Sequence, residues 1–439
     1  MTQALLDEEV GTKMGMDLAA RLDAPRAQQA LKTLYGAHEG VLLGQRERYL
    51  ALEREHAALF GPKETHFFSS PGRTEIGGNH TDHNHGRVLA AAVTLDMLAC
   101  VSVSGDSLIT LYSKGYDKPF VVDSRDTDYR PEEEGSTQAL IRGVCAQLRQ
   151  RGLAVGGFNG VMVSDVLSGS GLSSSAAFEV LLAAILDGLF NGGTLDPVER
   201  AKLCQFVENR YFGKPSGLMD QSACSVGGLV GIDFEDVDAP RFEQLQYDFE
   251  AKGYSLVVVA TRSSHDDLTD EYASIPKEMK QVAEAFGCQT LRQVDPALFY
   301  QHLGQLRRSL SDRALMRAMH FFGENQRVAD QLQALQQDRL ADFLSMVVDS
   351  GESSWRLLQN LYVGGQTAQS LALACALSEK LLKGRGAWRV HGGGFAGTIL
   401  AFVPEAQLAA YVQAMDGLFG AGAATVLGIR PVGPVEVAL

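Results

Sequence analysis

Residues 167–190 read Leu-Ser-Gly-Ser-Gly-Leu-Ser-Ser-Ser-Ala-Ala-Phe-Glu-Val-Leu-Leu-Ala-Ala-Ile-Leu-Asp-Gly-Leu-Phe, a small and flexible half followed by an apolar half. Apolar residues of the second half recur at the helical spacing i, i+3, i+4, i+7 and i+11, namely Phe178, Leu181, Leu182, Ile185 and Leu189. Ser173 to Ser175 stand where a helix cap and first turn belong, and the run 191–193, Asn-Gly-Gly, would end the helix. Residues 157–163 read as a strand. The predicted unit is strand, Gly/Ser-rich loop and helix.

This unit can hold a phosphate group. Glycines let the backbone approach an anion, the unpaired N–H groups of a first helical turn point at it, and the helix dipole favours negative charge there. Serine hydroxyls add donors and a ligand for a metal ion. The loop is not a Walker motif, because residues 167–190 contain no lysine, and Ser174 replaces the third glycine of G-x-G-x-x-G. Taken alone, the stretch is equally compatible with an ordinary loop and helix cap.

Length and composition indicate the number of domains, the compartment and the kinds of partner to expect. With 439 residues, 45% of them hydrophobic, the chain is long enough for two domains. Its net charge of −14 argues against nucleic acid or an anionic membrane as partner. The first ten residues lack a signal-peptide pattern and no apolar run reaches the length of a membrane span, so we expect a cytoplasmic protein. The six cysteines show no C-x-x-C spacing, which indicates neither a disulfide framework nor a thiolate zinc site.

The pattern along the chain predicts three parts. Residues 1–62 are charged and helical, and we interpret them as an N-terminal appendage. Residues 63–250 form a first domain, which begins with a short strand at 65–70 that Pro71 and Gly72 would break. An acidic link at 235–249 is the predicted boundary. Residues 251–439 form a second domain, with a central strand at 254–260.

Two further stretches and one aspartate carry polar chemistry. Residues 71–86 read Pro-Gly-Arg-Thr-Glu-Ile-Gly-Gly-Asn-His-Thr-Asp-His-Asn-His-Gly. Their histidines and aspartate are zinc-ligand types, but four ligands from one short loop are unusual, so contacts with a polar ligand are favoured. Residues 387–397 read Ala-Trp-Arg-Val-His-Gly-Gly-Gly-Phe-Ala-Gly, in which three glycines permit tight turns and close approach. Asp220 stands at a loop-to-helix junction, where an N-cap is the alternative to a functional carboxylate.

In this order, the three stretches resemble the signatures of the galactokinases within the GHMP kinase superfamily: G-R-x-N-x-I-G-E-H-x-D-Y, G-L-S-S-S-A-A and G-G-G-F-G-G. Residues 171–177 match the second signature in full. Residues 208–221 are similar to the family's E-N…G-I-M-D-Q segment, and residues 271–272 to its E-Y pair. The departures are Glu75 for Asn, Gly77 for Ile, Asn79 for Glu and His83 for Tyr in the first signature, and Ala396 for Gly in the third.

The resemblance implies an α+β fold of two layers and two domains, with mixed sheets, helices and an active site in the interdomain cleft. It implies ATP and Mg²⁺ as cofactors, with the ATP phosphates held by Gly169, Ser170, Gly171, Leu172, Ser173, Ser174 and Ser175. The implied Mg²⁺ ligands are Ser175 and Glu208. Asp220 would be the catalytic carboxylate and Arg73 the stabiliser of the transition state. The implied sugar contacts are Asn79, His80, Thr81, Asp82 and Tyr272.

The implied reaction is ATP-dependent phosphorylation of the anomeric hydroxyl of galactose, giving galactose 1-phosphate. Galacturonate is an alternative, because the amide of Asn79 can donate to a sugar carboxylate that a glutamate would repel. A non-catalytic sugar and ATP sensor is a second alternative, but the intact serine loop, Asp220 and Arg73 favour an enzyme. We expect the sugar and ATP as partners, no nucleic acid or membrane, and a monomer.

Overall fold

The computed structural model describes residues 17–166, 171–262 and 268–439. Its helices are α1 (Leu18–Leu22), α2 (Pro25–Tyr35), α3 (Glu39–Phe60), α4 (Thr137–Gln150), α5 (Ser174–Asn191), α6 (Pro197–Arg210), α7 (Met219–Val226), α8 (Thr269–Ala285), α9 (Pro296–Leu306), α10 (Asp312–Gln336), α11 (Leu340–Ser353), α12 (Ser370–Leu382) and α13 (Glu405–Phe419). A π-helical turn, Ser354–Leu358, follows α11.

The strands are β1 (His66–Gly77), β2 (Arg87–Val103), β3 (Leu108–Ser113), β4 (Phe120–Asp123), β5 (Phe158–Ser164), β6 (Leu229–Asp233), β7 (Arg241–Leu245), β8 (Tyr254–Ala260), β9 (Ala387–His391), β10 (Thr398–Pro404), β11 (Ala424–Leu427) and β12 (Val435–Glu436). They form two sheets. The larger has the order β12-β1-β2-β5-β3-β4, with β6 beside β2 and β7 beside β6, and the smaller has the order β11-β8-β10-β9.

Both sheets are packed against helices, and the predicted α+β architecture with mixed sheets is confirmed. The β3 and β5 strands pair in parallel, whereas β1 and β2 pair antiparallel. The apolar run of β8 lies between β11 and β10, as expected of a central strand. One hydrophobic cluster includes Val101 of the larger sheet and Phe402 of the smaller sheet, so the two layers share a core.

The first strand is longer than the sequence pattern predicts. We expected Pro71 and Gly72 to end it, but β1 runs for 12 residues and shifts register between Pro71 and Arg73. Pro71 lies opposite Asp96 and lacks the N–H that a regular strand position donates, and the irregularity directly after it leaves Gly72 outside the ladder. After the irregularity β1 continues into the polar stretch of residues 71–86, so Arg73 lies on a strand.

Two strands differ from the predicted division into domains at about residue 250. The expected acidic link contains β7, which pairs with β6 in the larger sheet. Its sequence, Arg-Phe-Glu-Gln-Leu, is polar enough for an exposed edge strand and gave no strong apolar signal. The second difference is β12, which pairs with β1 through Phe68 and Glu436. The chain therefore returns to the larger sheet near its end, and the boundaries near residues 62 and 250 stay predictions.

The predicted core helix is confirmed as α5. Its residues 176–187 are all buried, and Gly192, with φ of +71°, follows its last residue as the sequence predicts. By length and composition α5 is the one helix in the described residues that could cross a membrane, but two thirds of it is buried within the protein. The helices before residue 62 also pack on the larger sheet, where Tyr49 contacts the ring of Phe67.

A buried carboxylate on α10 ties this helix to the polar stretch after β1. Glu324 is fully buried and accepts hydrogen bonds from the backbone N–H of Gly78 at 2.9 Å and from Oγ of Ser350 at 2.6 Å. It also forms an ion pair with Arg327. Burial alone would raise the pKa of Glu324, but the imidazole of His320, the guanidinium groups of Arg327 and Arg389 and the Ser350 hydroxyl lower it to about 2.

Glu324→Gln is expected to lower the free energy of unfolding near pH 7 by about 3 kcal/mol, the stability linked to a pKa reduced from 4.5 to about 2. Because the folded-state pKa is depressed, this stability is present above pH 4.5 and is lost as the pH falls toward 2. Denaturant titrations at pH 7 and pH 3 should therefore show a smaller difference between the two proteins at pH 3. The exposed Glu379→Gln, which loses only an ion pair with Lys383, serves as control. A Glu324→Gln difference independent of pH would contradict the prediction.

Candidate active site

Arg73 and Asp220 form a bidentate ion pair. Arg73 follows the bulge in β1, and Asp220 is the second residue of α7. Nε of Arg73 donates to Oδ1 of Asp220 at 2.7 Å, and its second terminal nitrogen donates to Oδ2 at 2.9 Å. The remaining terminal nitrogen donates to the carbonyl of Gly171, and the hydroxyl of Ser173 donates to Asp220. The structure therefore brings both predicted catalytic residues to the predicted phosphate loop.

The environment keeps Asp220 ionised. Burial alone would raise its pKa, but the charge and hydrogen bonds of Arg73 and the hydroxyl of Ser173 outweigh burial and lower the pKa of Asp220 below its ordinary value. The alternative of an N-cap is wrong, because Leu218 occupies the cap position and the Asp220 carboxylate bonds to side chains. Ser173 caps no N–H of α5 either, since it has a left-handed backbone and gives its hydroxyl to Asp220.

The phosphate loop lies against the smaller sheet. Its predicted members Gly169 and Ser170 lie outside the described residues. Gly171 has φ of +74°, and a methyl group there would lie 2.7 Å from Oγ1 of Thr398 and 2.9 Å from Nδ1 of His391. Only glycine fits this position.

The other half of the loop is hydrogen-bonded to β1 and leads into α5. The carbonyl of Leu172 accepts a hydrogen bond from the backbone N–H of Arg73 at 3.1 Å. Ser174 and Ser175 open α5, whose first N–H groups have no partner within the helix and suit an anion.

The predicted metal ligands are in contact. Oγ of Ser175 donates to Oε1 of Glu208 at 3.0 Å, and the Glu208 side chain is 2% exposed. Lys214 donates to the same oxygen at 2.8 Å, while Ser216 and Gln221 donate to Oε2 at 2.6 and 2.7 Å. A hydroxyl and a carboxylate are hard oxygen donors, and Mg²⁺ typically takes one or two protein oxygens together with substrate phosphates. This donor set fits Mg²⁺.

Asp82 is the predicted sugar contact that keeps its carboxylate available. It begins a short 3₁₀ turn, Asp82–Asn84, and is partly exposed. A methyl group on Gly217 would lie 2.7 Å from Oδ2 of Asp82, so the carboxylate lies beside the segment that leads to Asp220. Within the described residues no hydrogen bond reaches this carboxylate, which leaves its acceptors for sugar hydroxyls.

Three other predicted contacts hold the turn between β9 and β10, which we call the glycine turn (residues 392–394). Nδ2 of Asn79 donates to the carbonyl of Gly392 at 2.7 Å. Nε2 of His80 donates to that of Gly393 at 2.9 Å, and the hydroxyl of Tyr272 to that of Gly394 at 2.7 Å. The family resemblance implies sugar contacts for these three side chains, which here donate to backbone carbonyls.

Thr81 also has a structural role. It is fully buried, and its hydroxyl lies 2.8 Å from the carbonyl of Gly78 and 2.6 Å from that of Arg87, inside the loop. The histidines nearby form no metal cluster, since the described part of the chain contains no group of three or more His, Cys, Asp or Glu side chains that could hold a metal ion.

His391 is a buried residue beside the phosphate loop that the sequence motifs do not indicate. Nε2 of His391 accepts the backbone N–H of Glu75 at 3.2 Å, so Nδ1 carries the proton and donates to Oγ1 of Thr398 at 2.8 Å. Burial, with the charges of Arg73 and Arg389, lowers the pKa of His391 well below its ordinary value, which keeps it neutral. The three glycines that follow His391 were the one sequence feature that could have indicated it. No sequence feature indicates Asn360, which bonds to Asn79.

Two family signatures match the parts of the chain that contain Arg73, Ser175 and Asp220. The galactokinase galactose-binding signature matches residues 54–103, and the GHMP kinases N terminal domain matches residues 139–228. A galactokinase from Streptomyces coelicolor is 31% identical over 371 residues, 83% of this chain and 91% of the relative. The chain belongs to the galactokinase family. A galactokinase from Lactobacillus helveticus is 30% identical over 81% of this chain and 90% of its own length.

Solved structures have the same fold as this galactokinase-family chain. The crystal structure of Lactococcus lactis galactokinase complexed with galactose superposes with a TM-score of 0.76 at 22% identity, over 89% of this chain and all of the other. A mevalonate kinase superposes with a TM-score of 0.60 at 16% identity, over 83% of this chain. The predicted family and the GHMP kinase fold are therefore confirmed, and the chain is a sugar kinase.

Proposed function

We propose that this galactokinase-family enzyme transfers the γ-phosphoryl group of ATP to the anomeric hydroxyl of galactose, giving galactose 1-phosphate and ADP. The observation that carries the proposal is the Arg73–Asp220 ion pair, which joins an ionised carboxylate to the phosphate loop. Galactose is supported by the galactokinases that this chain resembles over most of its length, and by a structural neighbour that was crystallised with galactose.

The side chains supply what phosphoryl transfer needs. The C1 hydroxyl oxygen of the sugar attacks the γ-phosphorus, the bond from phosphorus to the β,γ-bridging oxygen breaks, and Asp220 takes the hydroxyl proton. Arg73 offsets the charge that develops on the transferred group. Asp82 orients the sugar through its free acceptors, while the N-terminus of α5 receives the phosphates.

Ser175 and Glu208 would hold Mg²⁺, which neutralises phosphate charge when it is bound with ATP. Their contact in the structure supports this assignment. Lys214, which is 54% exposed and pairs with Glu208, would add a second positive charge near the phosphates. We further propose that the enzyme acts as a monomer in the cytoplasm, with the sugar and ATP as its ligands.

Neither alternative function has a specific observation in its favour. A sensor without catalysis would not need an ionised carboxylate in a bidentate pair at the phosphate loop. Galacturonate as the substrate would require an Asn79 amide that is free to donate to the sugar carboxylate. Both N–H groups of that amide donate to protein acceptors, Glu75 and the carbonyl of Gly392.

The test is a panel of galactose, galacturonate, glucose and N-acetylgalactosamine with purified enzyme and Mg²⁺-ATP, read by ADP release and by ³¹P NMR of the sugar phosphate. We expect kcat/KM for galactose to exceed that for every other sugar by about tenfold or more, because a site built to hydrogen-bond one sugar binds less well an analogue whose polar groups differ. Omitting Mg²⁺ should abolish turnover. A higher kcat/KM for galacturonate would refute the substrate, and galactose binding without ADP release would favour the sensor.

A further inference from the structure

Two departures from the galactokinase signature are in contact with each other. The signature has Asn where this chain has Glu75, and Glu where it has Asn79. In the structure, Nδ2 of Asn79 donates to Oε1 of Glu75 at 3.0 Å. The acid and the amide have therefore exchanged places within one hydrogen-bonded pair.

The amide of Asn79 has no hydrogen-bonding capacity left for a substrate. Besides its bond to Glu75, Nδ2 donates to the carbonyl of Gly392 at 2.7 Å. Oδ1 accepts from Nδ2 of Asn360 at 2.8 Å and from Oγ of Ser354 at 3.3 Å. A primary amide has two N–H donors and two acceptor lone pairs, and all four are used. Asn79 is also only 1% exposed.

A buried arginine explains why one member of the Glu75–Asn79 pair must carry a negative charge. Arg389 of β9 is fully buried and donates to Oε1 of Glu75 at 2.7 Å. A buried guanidinium needs an anion, because removing one partner of a buried ion pair leaves a desolvated charge. Nε and the other terminal nitrogen of Arg389 have no hydrogen-bond partner among the described residues. A carboxylate at position 79 could therefore neutralise Arg389 if Glu75 were absent.

We propose that Glu75 and Asn79 are one acid–amide pair, matched to Arg389, that fixes the segment leading to Asp82 (residues 78–82) on the glycine turn. Asn79 is a positioning residue within this pair and does not contact the sugar. Asn360 completes the arrangement, since its Nδ2 also donates to the carbonyl of Gly393 at 3.1 Å. Arg389 requires one carboxylate, and hydrogen bonding requires one amide, but either order satisfies both needs. The proposal deepens the function proposed above and rests on it for its kinetic readout.

The test is a double-mutant cycle of wild type, Glu75→Asn, Asn79→Glu and the combined exchange. Glu75→Asn removes the carboxylate that is hydrogen-bonded to Arg389 and leaves only the more distant charge of Glu324, and Asn79→Glu places two carboxylates at hydrogen-bonding distance. We expect each single substitution to raise KM for galactose about tenfold or more, with a smaller change in KM for ATP. The combined exchange should return KM for galactose to within about threefold of wild type, because the two sites are coupled.

Two further measurements separate positioning from sugar contact. The thermal unfolding midpoint should be lower in each single variant than in the combined exchange, which also decides the matter if a single variant is too unstable to assay. The ratio of kcat/KM for galactose over 6-deoxygalactose should be equal in wild type and Asn79→Ala, although KM for both sugars rises, because the Asn79 amide gives all its hydrogen bonds to the protein.

The inference is overturned if Asn79→Glu alone matches wild type, if the combined loss equals the product of the single losses, or if the galactose to 6-deoxygalactose ratio changes. A combined exchange that unfolds below both single variants overturns it as well. Wild-type enzyme without activity on galactose would refute the proposed function instead, and the unfolding midpoints would still test the pair.

Discussion

Asp220→Asn is expected to lower kcat by about 10³-fold, within the range that a positioned proton acceptor contributes. The amide has nearly the same size as the carboxylate but cannot take the proton of the attacking hydroxyl. It also removes the charge that pairs with both donors of Arg73, 2.7 and 2.9 Å away. Sugar and nucleotide binding should remain measurable, because neither Asp82 nor the start of α5 is altered.

Single-turnover rates of ADP formation measure the chemical step, and calorimetric titration with galactose and with an ATP analogue measures binding. Asp338→Asn is the matched control, since Asp338 is exposed and bonds to Lys252 and Tyr247 outside the site. Its kcat should equal that of wild type. If Asp220→Asn kept kcat within about threefold of wild type, Asp220 would not be the base. The hydroxyl proton would then leave with the phosphoryl group or to water.

The elements with strong local patterns could be predicted from the sequence. The helical period of residues 178–189 and the Gly-Gly stop after it determine α5, and a continuous apolar run determines β8. β1 could not be predicted in full, because a bulge is a property of the pairing with β2 and not of the Pro71-Gly72 dipeptide. For the same reason β7 became clear only from its pairing with β6, whereas a strand over 435–439 was predicted and only its pairing with β1 was not.

Some contacts of the site could likewise be predicted from the motifs, and others could not. Arg73, Asp220, Ser175 and Glu208 occupy the positions that the family resemblance implies, and the structure brings each pair into contact. The contacts of Asn79 could not be predicted, because its partners Gly392 and Asn360 lie 313 and 281 residues away in sequence. Whether a polar side chain faces a ligand or the protein depends on such distant partners, and a motif does not specify them.

Replacement of Arg73 is expected to have two effects that different substitutions separate. Arg73→Met should lower kcat by about 10³-fold, as expected when a guanidinium that stabilises transferred phosphoryl charge is lost. Arg73→Lys keeps the charge but loses the fork that bonds both oxygens of Asp220 and the Gly171 carbonyl, so kcat should fall as well, though less. KM for galactose should change much less than kcat in both variants.

The pH dependence of kcat/KM tests the coupling of Arg73 to Asp220. Arg73 and Ser173 together lower the pKa of Asp220 against the effect of burial, so the wild-type carboxylate stays ionised through the weakly acidic range. Without Arg73, burial is opposed only by Ser173 and Lys214, so the pKa of Asp220 should be higher than in the wild type. Because a general base acts in its deprotonated form, the proposed role of Asp220 predicts that the acidic limb of the profile moves to higher pH in Arg73→Met and much less in Arg73→Lys. Unfolding midpoints of both variants show whether they remain folded over this range. An acidic limb that stays in place, with only KM for galactose raised, would make Arg73 a ground-state binding residue and leave Asp220 ionised by other means.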